Sequence, residues 1–389
     1  MTTAGANTGD GRGFWREIVA SAVLVTAAFL PQIGIARDAP PPDEATRVLI
    51  SELGLVEDAT PVRRWQTGET PGRVVVWTNE PERLAWLQGV AGDADLVGVA
   101  TVEEALEAVE GAHALLGPCN PALIEAGGEL EWVQSYSAGV DRCVDSPALT
   151  ERGIVLTNAQ RLYGPAIAEH VMGMMFMLAR GLDVYHLRQA DGTWERGLDD
   201  YADTTWELAG RTLLVVGLGG IGTEIARRAN AVGMTVIATR ASSRQGPDFV
   251  DYVGLADELH ELAGRADIIV NATPLVPATN DLFDAAFFRA AKRGAYFINI
   301  GRGESVVTED LLAALASGQI AGAGLDVTDP EPLPPAHPLW QTPRVIITPH
   351  ISARTLGSGE RRWLLVRENL RRFVAGEPLL SVVDLGKGY

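Results

Sequence analysis

One segment limits the fold more than any other. Arg211–Val216 (RTLLVV) is an apolar, β-branched run of the kind that forms a buried strand. Gly217-Leu218-Gly219-Gly220-Ile221-Gly222 follows at once, Thr223–Val232 has a helical pattern, and Met234–Thr239 returns to a strand. A strand, a glycine turn, a helix and a second strand make a GxGxxG motif meaningful. Gly217 permits the tight turn, Gly219 lets a pyrophosphate approach the backbone, and Gly222 lets the helix pack on the strand. Gly220 and Ile221 open the helix, whose N-terminus favours an anion. The segment predicts dinucleotide binding.

The end of the second strand bears on which dinucleotide. An acidic residue about 20 positions beyond the glycines would hold a ribose 2′-hydroxyl. The chain has Thr239-Arg240-Ala241-Ser242-Ser243-Arg244 there, with no acid. Arg240, Ser242 and Arg244 suit a 2′-phosphate, because guanidinium pairs bidentately with phosphate. This favours NADP over NAD, the alternative being that Arg244 is a solvated loop charge.

The same alternation runs through the rest of the chain. Upstream, strand patterns at Arg73–Trp77, Asp95–Ala100, Ala112–Gly117, Leu130–Ser135 and Ile154–Asn158 are separated by helical stretches. Downstream, Asp267–Ala272, Ala295–Ile300, Ala321–Val327 and Val345–Thr348 repeat the form. Strands alternating with helices imply parallel sheets covered on both faces. Ligands bind beyond the carboxyl ends of such strands. Thr273 and Pro274, Ile300 and Arg302, Asp326, and His350 all fall at or just past such ends. The Met-rich helix Pro165–Arg180 reads as packing.

Composition narrows the partners. The 389 residues carry 50 acidic and 32 basic side chains, a net charge of −18. A uniform nucleic-acid binder is excluded, since the phosphate backbone would repel it. Cys119 and Cys143 are too few for a disulfide framework and read as core or loop thiols, with pairing left open. His113, His186, His260 and His337 show no metal spacing. The N-terminal 1–37 segment has Arg12 and Arg16, an uncharged, mostly apolar run from Ile18 to Leu30, and small residues at Gly34 and Ala36. That is the layout of a signal peptide, pointing to export. An uncleaved membrane anchor and an appended helix are the alternatives. Residues 38–72, with a Pro-rich start, read as a linker containing one short helix within 44–57.

Six segments together resemble the D-isomer-specific 2-hydroxyacid dehydrogenase family: SAGVD (137–141), AEHVMGMMFMLAR (168–180), GLGGIG (217–222), INIGRG (298–303), GLDVTDPEP (324–332) and TPHIS (348–352). The resemblance covers about residues 73–385. It implies an α/β fold of two doubly wound parallel-sheet domains, with a Rossmann dinucleotide-binding domain (181–350) inserted into a flavodoxin-like substrate domain (73–180 and 351–389). It implies hydride transfer between NAD(P)H and C2 of a small 2-oxo or 2-hydroxy acid such as glyoxylate or hydroxypyruvate, in a homodimer. Arg302 matches the arginine that holds the substrate carboxylate and carbonyl. His350 matches the general acid/base and Glu331 its carboxylate partner, which favours the charged imidazole. Ala138 and Gly139 match the loop whose N–H groups meet the carboxylate. Asp326 resembles the residue at the nicotinamide end, a structural cap being the alternative. His170, in the long helix, reads as structural. The final helix, Thr355–Val374, carries Arg361, Arg362, Arg367, Arg371 and Arg372, read as a solvated basic face. One departure is Val306-Val307-Thr308, where the family often has Val-Asp. The rival readings are a dinucleotide-binding regulator on the same scaffold and a family dehydrogenase with an unusual substrate such as phosphite.

Overall fold

The computed structural model describes residues 40–62, 72–194 and 205–389. The signal-like segment 1–37 lies outside the described residues, as do 63–71 and 195–204. A helix over Glu44–Leu53 comes first, capped by the Asp43 carboxylate on the Thr46 N–H at 2.8 Å. Strand β1 (Glu57–Pro61) follows. The linker reading of 38–72 is corrected over the described residues 44–61. The short helix is present, but Leu49 and Leu55 are buried against Leu162, Leu365 and Leu380. Strand β1 pairs antiparallel with a strand more than 300 residues away.

The first parallel sheet comprises β2 (Arg73–Trp77), β3 (Asp95–Val99), β4 (Ala112–Gly117), β5 (Trp132–Ser135) and β6 (Val155–Thr157), in the order β3-β2-β4-β5-β6. This is the flavodoxin-like order. Alternate side chains point to opposite faces, and both faces are buried. Val75, Leu115 and Val133 enter one core, while Val74, Val76, Leu116 and Trp132 enter the other. The helix Gly164–Ala179 then leaves this sheet. Met172, Met174 and Met175 on it are buried in the next core, so the methionines serve packing.

The second sheet comprises β7 (Thr212–Val216), β8 (Thr235–Thr239), β9 (Tyr252–Gly254), β10 (Ile268–Asn271), β11 (Ala295–Asn299), β12 (Ile320–Leu325) and β13 (Val345–Ile347). Its order, β13-β12-β11-β10-β7-β8-β9, reverses beside β7, which is the Rossmann arrangement. Every strand pair in both sheets is parallel. All carboxyl ends of a sheet therefore share one edge.

After β13 the chain returns to the first sheet through the helix Leu356–Ala375, then β14 (Pro378–Leu380), the partner of β1. Trp363, Val366, Leu370 and Phe373 pack against Val74, Val76 and Trp132. This helix overturns the reading of a solvated basic face. Arg371 and Arg372 are only 4% and 7% exposed. Both bond Glu368, which precedes them by three and four residues on the same face, and Arg371 also bonds Glu377 while Arg372 bonds Glu57. Arg362 lies over the rings of Tyr136 and Trp363, and Arg367 over Trp86.

Candidate active site

The glycine turn has the geometry its spacing predicts. Gly217 has φ +95°, and a Cβ there would fall 2.8 Å from the Ala272 carbonyl oxygen. A Cβ at Gly222 would fall 2.2 Å from the Gly217 oxygen, so only glycine lets the helix Gly220–Ala231 sit this close to β7. At Gly219 a Cβ would meet nothing within 4 Å. Gly219 caps the helix without a side-chain bond, leaving backbone N–H groups for an anion. These residues fit a dinucleotide pyrophosphate. Ile221 packs on the core beneath them.

The other candidates follow in spatial order along the same edge. Arg240 lies just past β8, where one Nη donates to the Gln245 carbonyl at 2.8 Å. Ser242 is exposed. Arg244 is engaged differently from the expectation: its Nη1 bonds Glu258 at 2.6 Å and the Tyr252 hydroxyl at 2.9 Å. Arg244, the backbone N–H of Leu255 and Tyr252 together hold the Glu258 carboxyl down at about 2. Arg244 is thus paired with a carboxylate, whereas Arg240 makes no ion pair among the described residues.

Thr273 and Pro274 follow β10. Thr273 bonds the Asn271 side chain through its N–H and its hydroxyl, and the Pro274 carbonyl accepts from Thr279. Ile300 and Arg302 follow β11. The backbone turn that presents Arg302 rests on a buried polar group: Asn299 and Ser305 both donate to the Arg302 carbonyl, and Asn271 donates to Asn299 and Ser305. Sequence reasoning missed this support; buried asparagines at two adjacent strand ends were the available signal.

Asp326 follows β12, and its side chain is 1% exposed. One carboxylate oxygen accepts from the Thr348 hydroxyl at 2.6 Å and the Ile351 N–H at 2.9 Å; the other accepts from the Ser352 N–H at 3.1 Å. Burial alone would raise its carboxyl, but these donors outweigh it and hold it below the usual range. The Asp326 carbonyl also accepts the His350 N–H at 2.8 Å. His350 has φ +51°, an uncommon conformation for a non-glycine residue. Asp326 thus builds the turn that presents His350, which is the cap reading of this residue. His170 reaches the same turn, with Nε2 3.0 Å from the Thr348 hydroxyl.

His350 and Glu331 meet as the motifs imply. His350 Nδ1 lies 2.8 Å from Glu331 Oε1, and both side chains are open to solvent, at 45% and 37%. Pairing through Nδ1 leaves Nε2 as the ring nitrogen available to a substrate.

The carboxyl edge of the first sheet contributes the loop after β5. Asn158 donates to the Ala138 carbonyl at 2.7 Å and fixes this loop. Neither the Ala138 nor the Gly139 N–H bonds a protein acceptor among the described residues. Arg302 reaches across from the second sheet to Asp141 of the same loop, at 2.7 Å. The two sheets therefore face each other here through their carboxyl ends. Close by, Cys119 and Cys143 form a disulfide with Cα atoms 5.4 Å apart, so the thiol reading is corrected. Cys119 follows β4 and Cys143 follows the Asp141 loop, neighbours in space that their 24-residue separation did not reveal.

A switch-point glycine turn, an arginine and a carboxylate-paired histidine along one carboxyl edge of the sheet define a dinucleotide-dependent oxidoreductase. Comparison with known proteins makes the class specific. Residues 172–352 match the family described as D-isomer specific 2-hydroxyacid dehydrogenase, NAD binding domain. The glyoxylate reductase/hydroxypyruvate reductase of Mus musculus is 34% identical over 284 residues, 72% of this chain and 86% of that protein. The glyoxylate reductase of Thermofilum pendens is 33% identical over 262 residues, 67% of this chain and 77% of that protein. An NADPH-dependent glyoxylate/hydroxypyruvate reductase from Sinorhizobium meliloti, solved with NADP and sulfate, superposes with TM-score 0.70 at 29% identity, covering 82% of this chain and 100% of that one. The chain belongs to the D-isomer specific 2-hydroxyacid dehydrogenase family and is an NAD(P)-dependent enzyme of that class.

Proposed function

We propose that this enzyme reduces a small 2-oxo acid, glyoxylate or hydroxypyruvate, using NADPH. The observation that carries the reading is the His350–Glu331 pair at 2.8 Å on the strand edge that also presents Arg302. When bound, the nicotinamide supplies the hydride that C2 receives. Arg302 and the Ala138 and Gly139 N–H groups hold the carboxylate, and Arg302 polarises the C2 carbonyl. Protonated His350 gives its Nε2 proton to the oxygen that develops negative charge, while Glu331 keeps the ring oriented through Nδ1. The product is the 2-hydroxy acid. Arg240, placed at the β8 end, supports the preference for the 2′-phosphorylated cofactor.

Loss of NADPH absorbance in a panel of 2-oxo acids tests the reading. Turnover of glyoxylate or hydroxypyruvate, faster with NADPH than NADH, is expected. Tight NADPH binding with no turnover of any 2-oxo acid would favour the regulator instead.

The 1–37 segment is proposed to direct export. The Cys119–Cys143 bond supports this, because disulfides persist in oxidising compartments. Mass spectrometry of the natively produced N-terminus tests it, an intact Met1 or Thr2 rejecting cleavage.

A further inference from the structure

Arg302 is held from the opposite domain. Its Nε and Nη2 donate to one oxygen of Asp141 at 3.1 and 2.7 Å, and its Nη1 donates to the Gly301 carbonyl at 2.8 Å. A guanidinium has five N–H groups in a rigid planar fork. Three are thereby committed, and one remains on each Nη. Those two are the hydrogens left for a substrate carboxylate or carbonyl.

Asp141 and Gly139 act on this guanidinium together. A Cβ at Gly139 would fall 1.7 Å from Arg302 Nη2 and 2.9 Å from Asp141 Oδ1, so the guanidinium occupies the space that any side chain at 139 would take. Arg302 and Asp141 are 25% and 22% exposed, which limits solvent screening of the pair. Burial would raise the Asp141 carboxyl, but the bonds and charge of Arg302 outweigh it and hold the carboxyl below the usual range. Asp141 is therefore ionised at neutral pH.

We propose that Asp141 is a positioning residue for substrate binding: it takes the side edge of the Arg302 fork and turns the Nη end toward the substrate carboxylate and carbonyl. This rests on the reading that Arg302 binds a 2-oxo acid. An arginine on a long, flexible stem otherwise loses rotamer freedom when substrate binds, and Asp141 removes that cost beforehand. The opposite relation is that Asp141 competes with the substrate for Arg302, and it predicts the opposite sign.

The test uses the full chain carrying Asp141→Ala or Asp141→Asn. Four quantities are measured: KM and kcat for glyoxylate, oxalate affinity for the NADPH complex by calorimetry, and NADPH affinity alone. Losing charge-assisted bonds to Arg302 should raise KM and the oxalate Kd by about 10- to 100-fold in Asp141→Ala. NADPH affinity should hold, and Asp141→Asn, which keeps one carbonyl acceptor, should recover most of the loss. Unchanged or tighter oxalate binding in Asp141→Ala overturns the proposal, as does a parallel loss of NADPH binding. If the wild-type protein binds oxalate but reduces no 2-oxo acid, the functional reading fails while the oxalate titration still decides the role of Asp141. Wild-type protein that binds no oxalate overturns both.

Discussion

The Nδ1 atom of His350 lies 2.8 Å from Oε1 of Glu331, a residue 19 positions earlier in the chain. The pair sets two unequal expectations. Removing the imidazole in His350→Ala deletes the proton donor, and kcat should fall by about 10²–10⁴. Glu331→Gln keeps the shape but loses the charged acceptor, so kcat should fall by a smaller factor of about 10–100. Steady-state rates with glyoxylate and NADPH check both. Unchanged turnover in His350→Ala would remove it from the mechanism.

The turn carrying His350 leads to a prediction about acid. Asp326 is buried and accepts three hydrogen bonds that build that turn. Asp326→Asn replaces one acceptor oxygen with a donor facing N–H groups, which should cost about 1–3 kcal/mol at neutral pH. The Asp326 carboxyl is held below its ordinary value in the folded chain. Its stabilisation is thus complete above about pH 3.9, the unfolded value, and is lost as pH falls through the lower folded value. The gap between wild type and variant should be constant from pH 7 to 5 and shrink below about pH 4. Urea unfolding at several pH values measures it, and a gap that widens on acidification contradicts the assignment.

What could be read beforehand was chemistry confined to short segments. The 217–222 turn was legible from its spacing between a strand and a helix, and Arg302, Glu331 and His350 from short motifs that resemble the family, because each carries its meaning within a few residues of sequence. Partners supplied by distant chain were not legible. Arg371 and Arg372 look like a solvated face until Glu57 and Glu377 arrive from outside the helix. Asp141 and Arg302 are 161 residues apart. The short strand β1 has no local signal, because the partner it pairs with, β14, lies more than 300 residues away. Arg244 looked equivalent to Arg240, and only the fold brings Glu258 to it.

That difference between the two arginines separates their expected effects on cofactor choice. Arg240 has one bond to a carbonyl, whereas Arg244 already pairs with Glu258. Arg240→Ala should weaken NADPH by about 10- to 100-fold, the worth of a charge-assisted bond, and leave NADH nearly unchanged. Arg244→Ala should change the NADPH-to-NADH ratio far less. Fluorescence titration of both cofactors checks this, and equal loss of NADPH and NADH in Arg240→Ala would refute a 2′-phosphate contact.

The Cys119–Cys143 bond closes a loop with a sequence separation of 24 and ends two residues beyond Asp141. Cross-linking removes freedom mainly from the unfolded chain, an effect of about 2–4 kcal/mol for loops of this kind. Reduction should therefore lower the urea midpoint without changing the dependence of the signal on folded protein. The double variant Cys119→Ala/Cys143→Ala should unfold at or below the reduced wild-type midpoint and become indifferent to dithiothreitol. Cys143 is 1% exposed and packs with Val133, Val140 and Leu149, so the variant also loses some apolar contact. The indifference to reductant, rather than the absolute midpoint, is the deciding readout. A wild-type midpoint that does not move on full reduction, verified by mass, would show that the bond contributes nothing to stability.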